Sequence, residues 1–334
     1  MKERHVNIAL FVPHLGCKHQ CSFCNQKSIS GCVRQTDESD VRNAVQTALK
    51  GGNCENAEIA FFGGSFTAID REYMLSLLSS AYEYVKAGKV RGIRISTRPD
   101  CIDEETLSLL KKYSVTSIEL GCQSMDNTVL ENNRRGHTAE DVKKASLLIK
   151  EYGFELGHQM MTGLYSSSRE KDIFTAEEII KIRPDTVRIY PTVILENTEN
   201  AERYRKGEYV PQTLEEAVSL CTVLLRMFNN AGIPVIRLGL HSGGGVDDGY
   251  IAGAYHEAFR ELCESEIYLE NALEKLSGIP KGRVEIAVSE KYVSMMKGQK
   301  KRNTEKIKEL GYDAVVAGKS DMKKYEIEIR KIPE

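Results

Sequence analysis

The chain has 334 residues, 41% of them hydrophobic and 28% charged, a composition that supports a packed core and excludes global disorder. The formal net charge of -2 and the lack of any apolar run near the roughly 18–20 residues of a bilayer span give no overall argument for a polyanion or membrane partner. Nine cysteines, an odd number spread over this length, fit a reducing cytoplasm better than a disulfide scaffold.

A basic start precedes an apolar run at 8–12, shorter than the roughly 7–15 residues of a signal-peptide core, and Pro13 and His14 end it. It reads as a first strand, 6–12, that delivers the chain to Cys17. Further β-branched runs predict strands at 58–62, 92–97, 115–122, 154–161, 186–191 and 234–240. Between them, apolar residues at helical spacing predict helices at 40–50, 71–86, 104–113, 139–152, 171–181 and 214–230. Repeated strand–helix alternation implies parallel strands joined by crossovers, as a barrel or an open doubly wound sheet.

Side-chain parity separates the two. Ile93 and Ile95 alternate with Arg94 and Ser96, Leu120 with Glu119 and Gln123, Leu156 with Glu155 and Gln159, and Ile189 with Arg188. A sheet covered by helices on both faces would be apolar throughout. One polar face in strand after strand predicts a barrel whose interior is polar, and hence a ligand inside it, because ordinary barrels of this kind fill with branched apolar residues.

After 240 the rhythm changes to a glycine-rich connection, HSGGGVDDGYIAG, and a long helix to about 276. Residues 281–334 read as strand, helix, a GQKKRN turn, helix and two strands, with 14 Lys+Arg against 9 Asp+Glu. The expected organisation is a core at 1–240, a connection and helix at 241–280, and a small basic α+β region at 281–334. The strand–helix–turn–helix–strand order resembles a KH-type module, although the turn lacks the second glycine of a GXXG loop. A plain α+β cap with a solvated basic face is the favoured reading. His241, Asp247, Asp248, Tyr250, Tyr255 and His256 either line the barrel mouth or serve as ordinary loop residues.

The most specific feature is Cys17-Lys-His-Gln-Cys21-Ser-Phe-Cys24. Three thiolates at this spacing in a loop after the first strand can converge on one metal centre, and thiolates select zinc or iron–sulfur chemistry. Structural zinc wants four ligands, and His14, His19 or Cys32 could supply the fourth. Three cysteines alone leave one position open, as a reactive site requires.

Cys-x3-Cys-x2-Cys with an aromatic before the third cysteine resembles the cluster motif of the radical S-adenosylmethionine (SAM) superfamily. The resemblance implies a partial (β/α)6-type TIM barrel of the α/β class. It also implies a 4Fe–4S cluster held by Cys17, Cys21 and Cys24, and SAM on its fourth iron, reductively cleaved to a 5′-deoxyadenosyl radical that abstracts hydrogen. Phe23 then packs near the adenine. Gly63, Gly64 and Ser65, in FFGGSFT after the second strand, face the methionine amino group. Ser96 stands where many relatives have a glutamate for the ribose. Gln123 in ELGCQS, Arg135 in NRRGHT and Gln159 in HQMMTGL complete the expected SAM contacts.

Taken in order, GGSFT, TRPD, ELGCQS, NRRGHT and RIYPT over residues 6–275 are most similar to the radical SAM half of the Elongator catalytic subunit. That subunit also carries an acetyltransferase domain, for which this chain is too short, so the expectation is a stand-alone bacterial Elongator-like protein. It further implies a flavodoxin- or ferredoxin-type electron donor, tRNA as substrate class, a cytoplasmic setting and no membrane. A coproporphyrinogen-oxidase-like or haem-handling role is the alternative from a related branch. The haem chaperones of that branch carry a tryptophan that this chain lacks. A non-enzymatic zinc or iron–sulfur module is the other. His158 and Cys122 fall on the outward parity and read as packing residues, as do Cys54, Cys101, Cys221 and Cys263.

Overall fold

A computed structural model describes residues 6–12, 20–25, 34–52, 54–240 and 249–333. Cys17, His14, His19, Cys32, His241, Asp247 and Asp248 lie outside the described residues. The chain divides into two units, Met1–Thr213 with Met227–Tyr255 and Leu214–Arg226 with His256–Glu334.

In the first unit, strands β1 (Val6–Val12), β2 (Ala57–Gly63), β3 (Gly92–Thr97), β4 (Val115–Gln123), β5 (Glu155–Thr162) and β6 (Thr186–Pro191) follow one another in space. A short strand, β7 (Val193–Leu195), lies outside this sheet, and β8 (Val235–Leu238) adds the seventh member beside β6. Every neighbouring pair is parallel. The result is the curled partial barrel that the alternation predicts.

Helices α1 (Glu38–Lys50), α2 (Arg71–Lys86), α3 (Glu104–Lys112), α4 (Asn127–Asn132), α5 (Ala139–Glu151), α6 (Arg169–Ile182) and α7 (Glu199–Arg205) make the crossovers, and α8 (Leu214–Asn230) precedes β8. Their starts are written in the sequence. Asp37 with Asp40 and Thr138 with Asp141 form capping boxes, and Asp70, Asp103, Asp126, Ser168 and Thr198 each accept a first-turn N–H. Each such cap stabilises its helix by about 1 kcal/mol.

The parity holds. Ile93, Ile95, Ile118, Leu120, Leu156, Val187 and Ile189 are fully buried, as are Leu77, Leu78, Leu107, Leu110 and Ile149 on the helices. A separate antiparallel pair, β7 with β9 (Tyr250–Gly253), has no counterpart in the sequence reading. Three- and four-residue strands, and the short helices α4 and α7, are too brief to show a period.

In the second unit, α9 (Phe259–Leu276) is followed by β10 (Gly282–Ser289), α10 (Val293–Lys297), α11 (Arg302–Glu309), β11 (Tyr312–Lys319) and β12 (Glu328–Lys331). The sheet order is β11-β10-β12, with β11 parallel and β12 antiparallel to β10. Its core joins Tyr268, Leu269, Ala272 and Leu276 of α9 to Val284, Ile286 and Val288 of β10, Ile307 of α11 and Ile327. No helix among the described residues is long and apolar enough to cross a membrane.

Candidate active site

The inward positions of β2 to β6 bring charged side chains together inside the barrel. Arg94 Nε donates to Glu58 Oε2 at 2.7 Å and Nη1 to Glu119 Oε1 at 3.1 Å. Arg188 Nη2 donates to Glu119 Oε1 at 2.8 Å, and its Nε lies 2.7 Å from Oε2. Ser117 Oγ lies 2.8 Å from both Glu58 Oε1 and Glu155 Oε2, within hydrogen-bond reach of each. Burial works against the Glu58 carboxylate, but the Arg94 guanidinium and the Thr116 and Ser117 hydroxyls outweigh it and hold the carboxyl below its ordinary range. Gly157 makes room for this network, since a Cβ there would stand 2.9 Å from Glu119 Cγ. Much of the polar interior that suggested a ligand is therefore satisfied within itself. It forms a bonded layer across the barrel, as buried charges require.

Above that layer, at the C-terminal ends of the strands, the partners run out. Gln159 Nε2 donates downward to Glu119 Oε2 at 2.9 Å and lies 3.4 Å from Ser96 Oγ. Gln123 closes β4 in the left-handed region, φ 64°, and its buried Oε1 has no partner among the described residues. Arg135 donates from Nη2 to Gly121 O at 2.6 Å and from Nη1 to Cys21 Sγ at 3.0 Å, while its buried Nε has no partner among the described residues. Its guanidinium lies 5.9 Å from the Phe23 ring centroid. Gly121 permits this, because a Cβ there would meet Gln123 Nε2 at 3.0 Å and Arg135 Nη2 at 3.3 Å.

Cys21 and Cys24 lie on one turn, closed by Cys24 N donating to Cys21 O at 3.1 Å. β1 ends beside the glycine pair. Val12 aligns with Gly63, whose φ is 112°, and Gly64 N donates to Val12 O at 3.1 Å. Ser65 is buried next to them. The structure therefore gathers Cys21, Phe23, Gln123 and Arg135 into one cluster. Gly63, Gly64 and Ser65 sit at the exit of β1, and Ser96 and Gln159 lie against the charged layer.

The clamp on the cysteine turn is not visible in the sequence. Ser22 Oγ donates to Asn133 Oδ1 at 2.8 Å and Ser22 N to Asn133 O at 3.2 Å. Asn200 N donates to Ser22 O at 2.9 Å, and Asn25 Nδ2 to Glu196 O at 2.8 Å. Asn133 is fully buried and also donates to Val129 O and Tyr165 O. Its place in NRRGHT was the available signal, but an asparagine that bonds loop backbone has no recognisable spacing.

The packing assignments hold for several residues. His158 is buried against Ser146 Oγ at 2.8 Å, and desolvation lowers it to about 3, so it is neutral. Cys122 is fully buried and pushed up to about 12, an inert thiol. Cys221 and Cys263 are buried, whereas Cys54 and Cys101 are half-buried. Tyr250 donates to Gly253 O, and His256 Nδ1 accepts from Ala258 N at 3.0 Å, both local structural contacts.

The donor chemistry fits a thiolate-held metal centre with a polar ligand beside it. Metals take cysteine as thiolate, and a guanidinium at hydrogen-bond distance suits an anionic sulfur. The orphaned Gln123 Oε1 and Arg135 Nε offer an acceptor and a cationic donor to whatever lies next to the turn.

Comparison with known proteins agrees. Residues 11–179 match the radical SAM superfamily, and 184–269 match a radical SAM C-terminal domain. Among curated proteins, a tRNA uridine(34) acetyltransferase of Methanocaldococcus jannaschii is 34% identical over 183 residues, covering 49% of this chain and 34% of that protein. Human Elongator complex protein 3 is 30% identical over 197 residues, covering 53% and 36%. These matches span about a third of the relatives' length. Among solved structures, archaeal Elp3 from Methanocaldococcus infernus superposes with a TM-score of 0.61 at 23% identity, over 86% of this chain and 67% of that one, a likeness of fold. The chain belongs to the radical SAM superfamily, on its Elongator-like side, and is an enzyme of the class that works with a 4Fe–4S cluster and SAM.

Proposed function

We propose that this protein cleaves SAM reductively on a cluster held by Cys17, Cys21 and Cys24, and abstracts hydrogen from a tRNA. The bound cluster and SAM supply a one-electron cleavage that no side chain can perform. The protein's own residues bind and orient. Arg135 holds Cys21 in place and would offer its Nε to the SAM carboxylate. Gln123 presents Oε1 to a hydroxyl or amine. Gly63, Gly64 and Ser65 offer backbone at close approach, and Phe23 a face for the adenine. Ser96 and Gln159 would meet the ribose.

The observation that carries this reading is the cluster of Arg135, Cys21 and Gln123 with two buried polar atoms unpaired. The tRNA substrate rests on what the relatives are named for, and acetyl transfer is not part of the proposal. An electron donor of flavodoxin or ferredoxin type and a cytoplasmic setting go with it.

Anaerobic reconstitution should load about four irons per chain, and dithionite with SAM should release 5′-deoxyadenosine. Cys21→Ser should abolish both. One zinc and no iron would refute the cluster, and a full cluster that leaves SAM intact would refute the chemistry. Deuterium passing from labelled tRNA into 5′-deoxyadenosine tests the substrate.

A further inference from the structure

The second unit carries a charge pattern that the radical site does not use. Residues 291–308 contain seven cations, Lys291, Lys297, Lys300, Lys301, Arg302, Lys306 and Lys308, and one carboxylate, Glu305. All seven are exposed. None forms an ion pair among the described residues, whereas other cations of the same unit do. Lys319 pairs with Glu328, Lys324 with Glu264 at 2.9 Å, Arg330 with Glu285 at 2.8 Å and Arg226 with Glu270 at 3.0 Å. Unscreened like charge raises the folding free energy, so leaving it on one short segment implies an anionic partner.

The segment is also held rigid. Lys300 and Lys301 both stand in the left-handed region, φ 51° and 66°, which non-glycine residues enter at a cost. The anchor is Asn303, 2% exposed, whose Nδ2 donates to Ser265 O at 2.9 Å and Ser265 Oγ at 3.0 Å. Ser265 Oγ donates in turn to Met295 O at 2.8 Å. Gly298 completes the turn, because a Cβ there would stand 2.8 Å from Asn303 Oδ1. Cations presented on a fixed turn lose less entropy on binding than those on a mobile tail. No large apolar side chain is exposed within 291–308, which a membrane-inserting surface would need.

We propose that the basic turn and its flanking helices, residues 291–308, form a docking surface for the phosphate backbone of RNA. The segment lies beyond both stretches matched to the family models, 11–179 and 184–269. The choice of RNA over other polyanions rests on the tRNA reading above.

The test is tRNA binding to the full-length protein, followed by fluorescence anisotropy across a salt series. A variant combining Lys297→Gln, Lys300→Gln, Lys301→Gln and Arg302→Gln should bind about 10–100-fold more weakly at 100 mM salt, with the log–log salt slope reduced by about 3–4. Glu305→Lys should tighten binding, a gain that misfolding cannot mimic. No binding by the unaltered protein at 50 mM salt, unchanged affinity of the fourfold variant, or binding of phosphatidylserine vesicles in place of tRNA would each overturn the proposal. Release of 5′-deoxyadenosine without RNA should be the same in all variants. Its absence would sink the proposed chemistry and leave the binding result standing.

Discussion

Glu119 is the keystone of the barrel's charged layer, and Glu119→Gln isolates its charge. The carboxylate is 1% exposed and faces Arg94 Nη1 at 3.1 Å, Arg188 Nη2 at 2.8 Å, Arg188 Nε at 2.7 Å and Gln159 Nε2 at 2.9 Å. Neutralising it leaves Arg94 with Glu58 at 2.7 Å. Arg188 has no other carboxylate ion-pair partner among the described residues, so the net loss is one uncompensated buried guanidinium. Breaking a buried pair from one side costs about 3–5 kcal/mol, a large part of the roughly 5–15 kcal/mol that holds a typical domain folded. Combining Glu119→Gln with Arg188→Met removes both charges and should recover at least about 2 kcal/mol of that loss. The chain has no tryptophan, so urea unfolding is followed by circular dichroism at 222 nm. Hydrogen exchange of the β4–β6 amides assigns the transition to the barrel. A single variant that loses under about 1 kcal/mol, or a double variant as unstable as the sum of the two singles, would show that the layer does not act as a bonded unit.

Acid should weaken the barrel through its histidines. Burial lowers both His137 and His158 to about 3 from 6.5, so the unfolded chain binds more protons between these values. The stability is present above pH 6.5 and lost as pH falls through that window, by up to about 1.4 kcal/mol per pH unit for each histidine. His158→Gln should flatten the slope by close to one proton between pH 6.5 and 5 in pH-dependent unfolding, and an unchanged slope counts against a neutral buried imidazole. Gly157→Ala should cost about 1–3 kcal/mol by thermal or urea unfolding, since its Cβ would press on Glu119 Cγ at 2.9 Å and Thr186 Oγ1 at 3.1 Å. A neutral outcome would mean that the layer yields easily. Asn133→Ala should loosen the cysteine turn, so that Cys21 and Cys24 of iron-free protein alkylate faster while Cys122 stays inert. Equal alkylation rates would deny Asn133 a clamping role.

The strand–helix alternation and the parity of β3 to β6 determine the barrel and its polar interior, because each follows from local period. The helix starts were equally legible, since Asp37, Asp103, Thr138 and Ser168 cap their own following residues. Tertiary structure alone decided which polar residues satisfy one another and which remain open. Parity puts Arg94, Glu119, Gln159 and Arg188 on one face, but their bonding depends on register across neighbouring strands, with shifts at Ile93/Arg94, Gly121/Gln123 and Val187/Arg188. For the same reason the clamp of Asn133, Ser22 and Asn200 is invisible in sequence. Its bonds join residues 111 positions and more apart, two of them through backbone groups that every residue carries. The net charge of -2 hides the basic segment 291–308, because it averages seven cations that form no ion pair among the described residues against carboxylates spread over the rest of the chain. Only folding separates the cations that meet an acid from those left facing solvent.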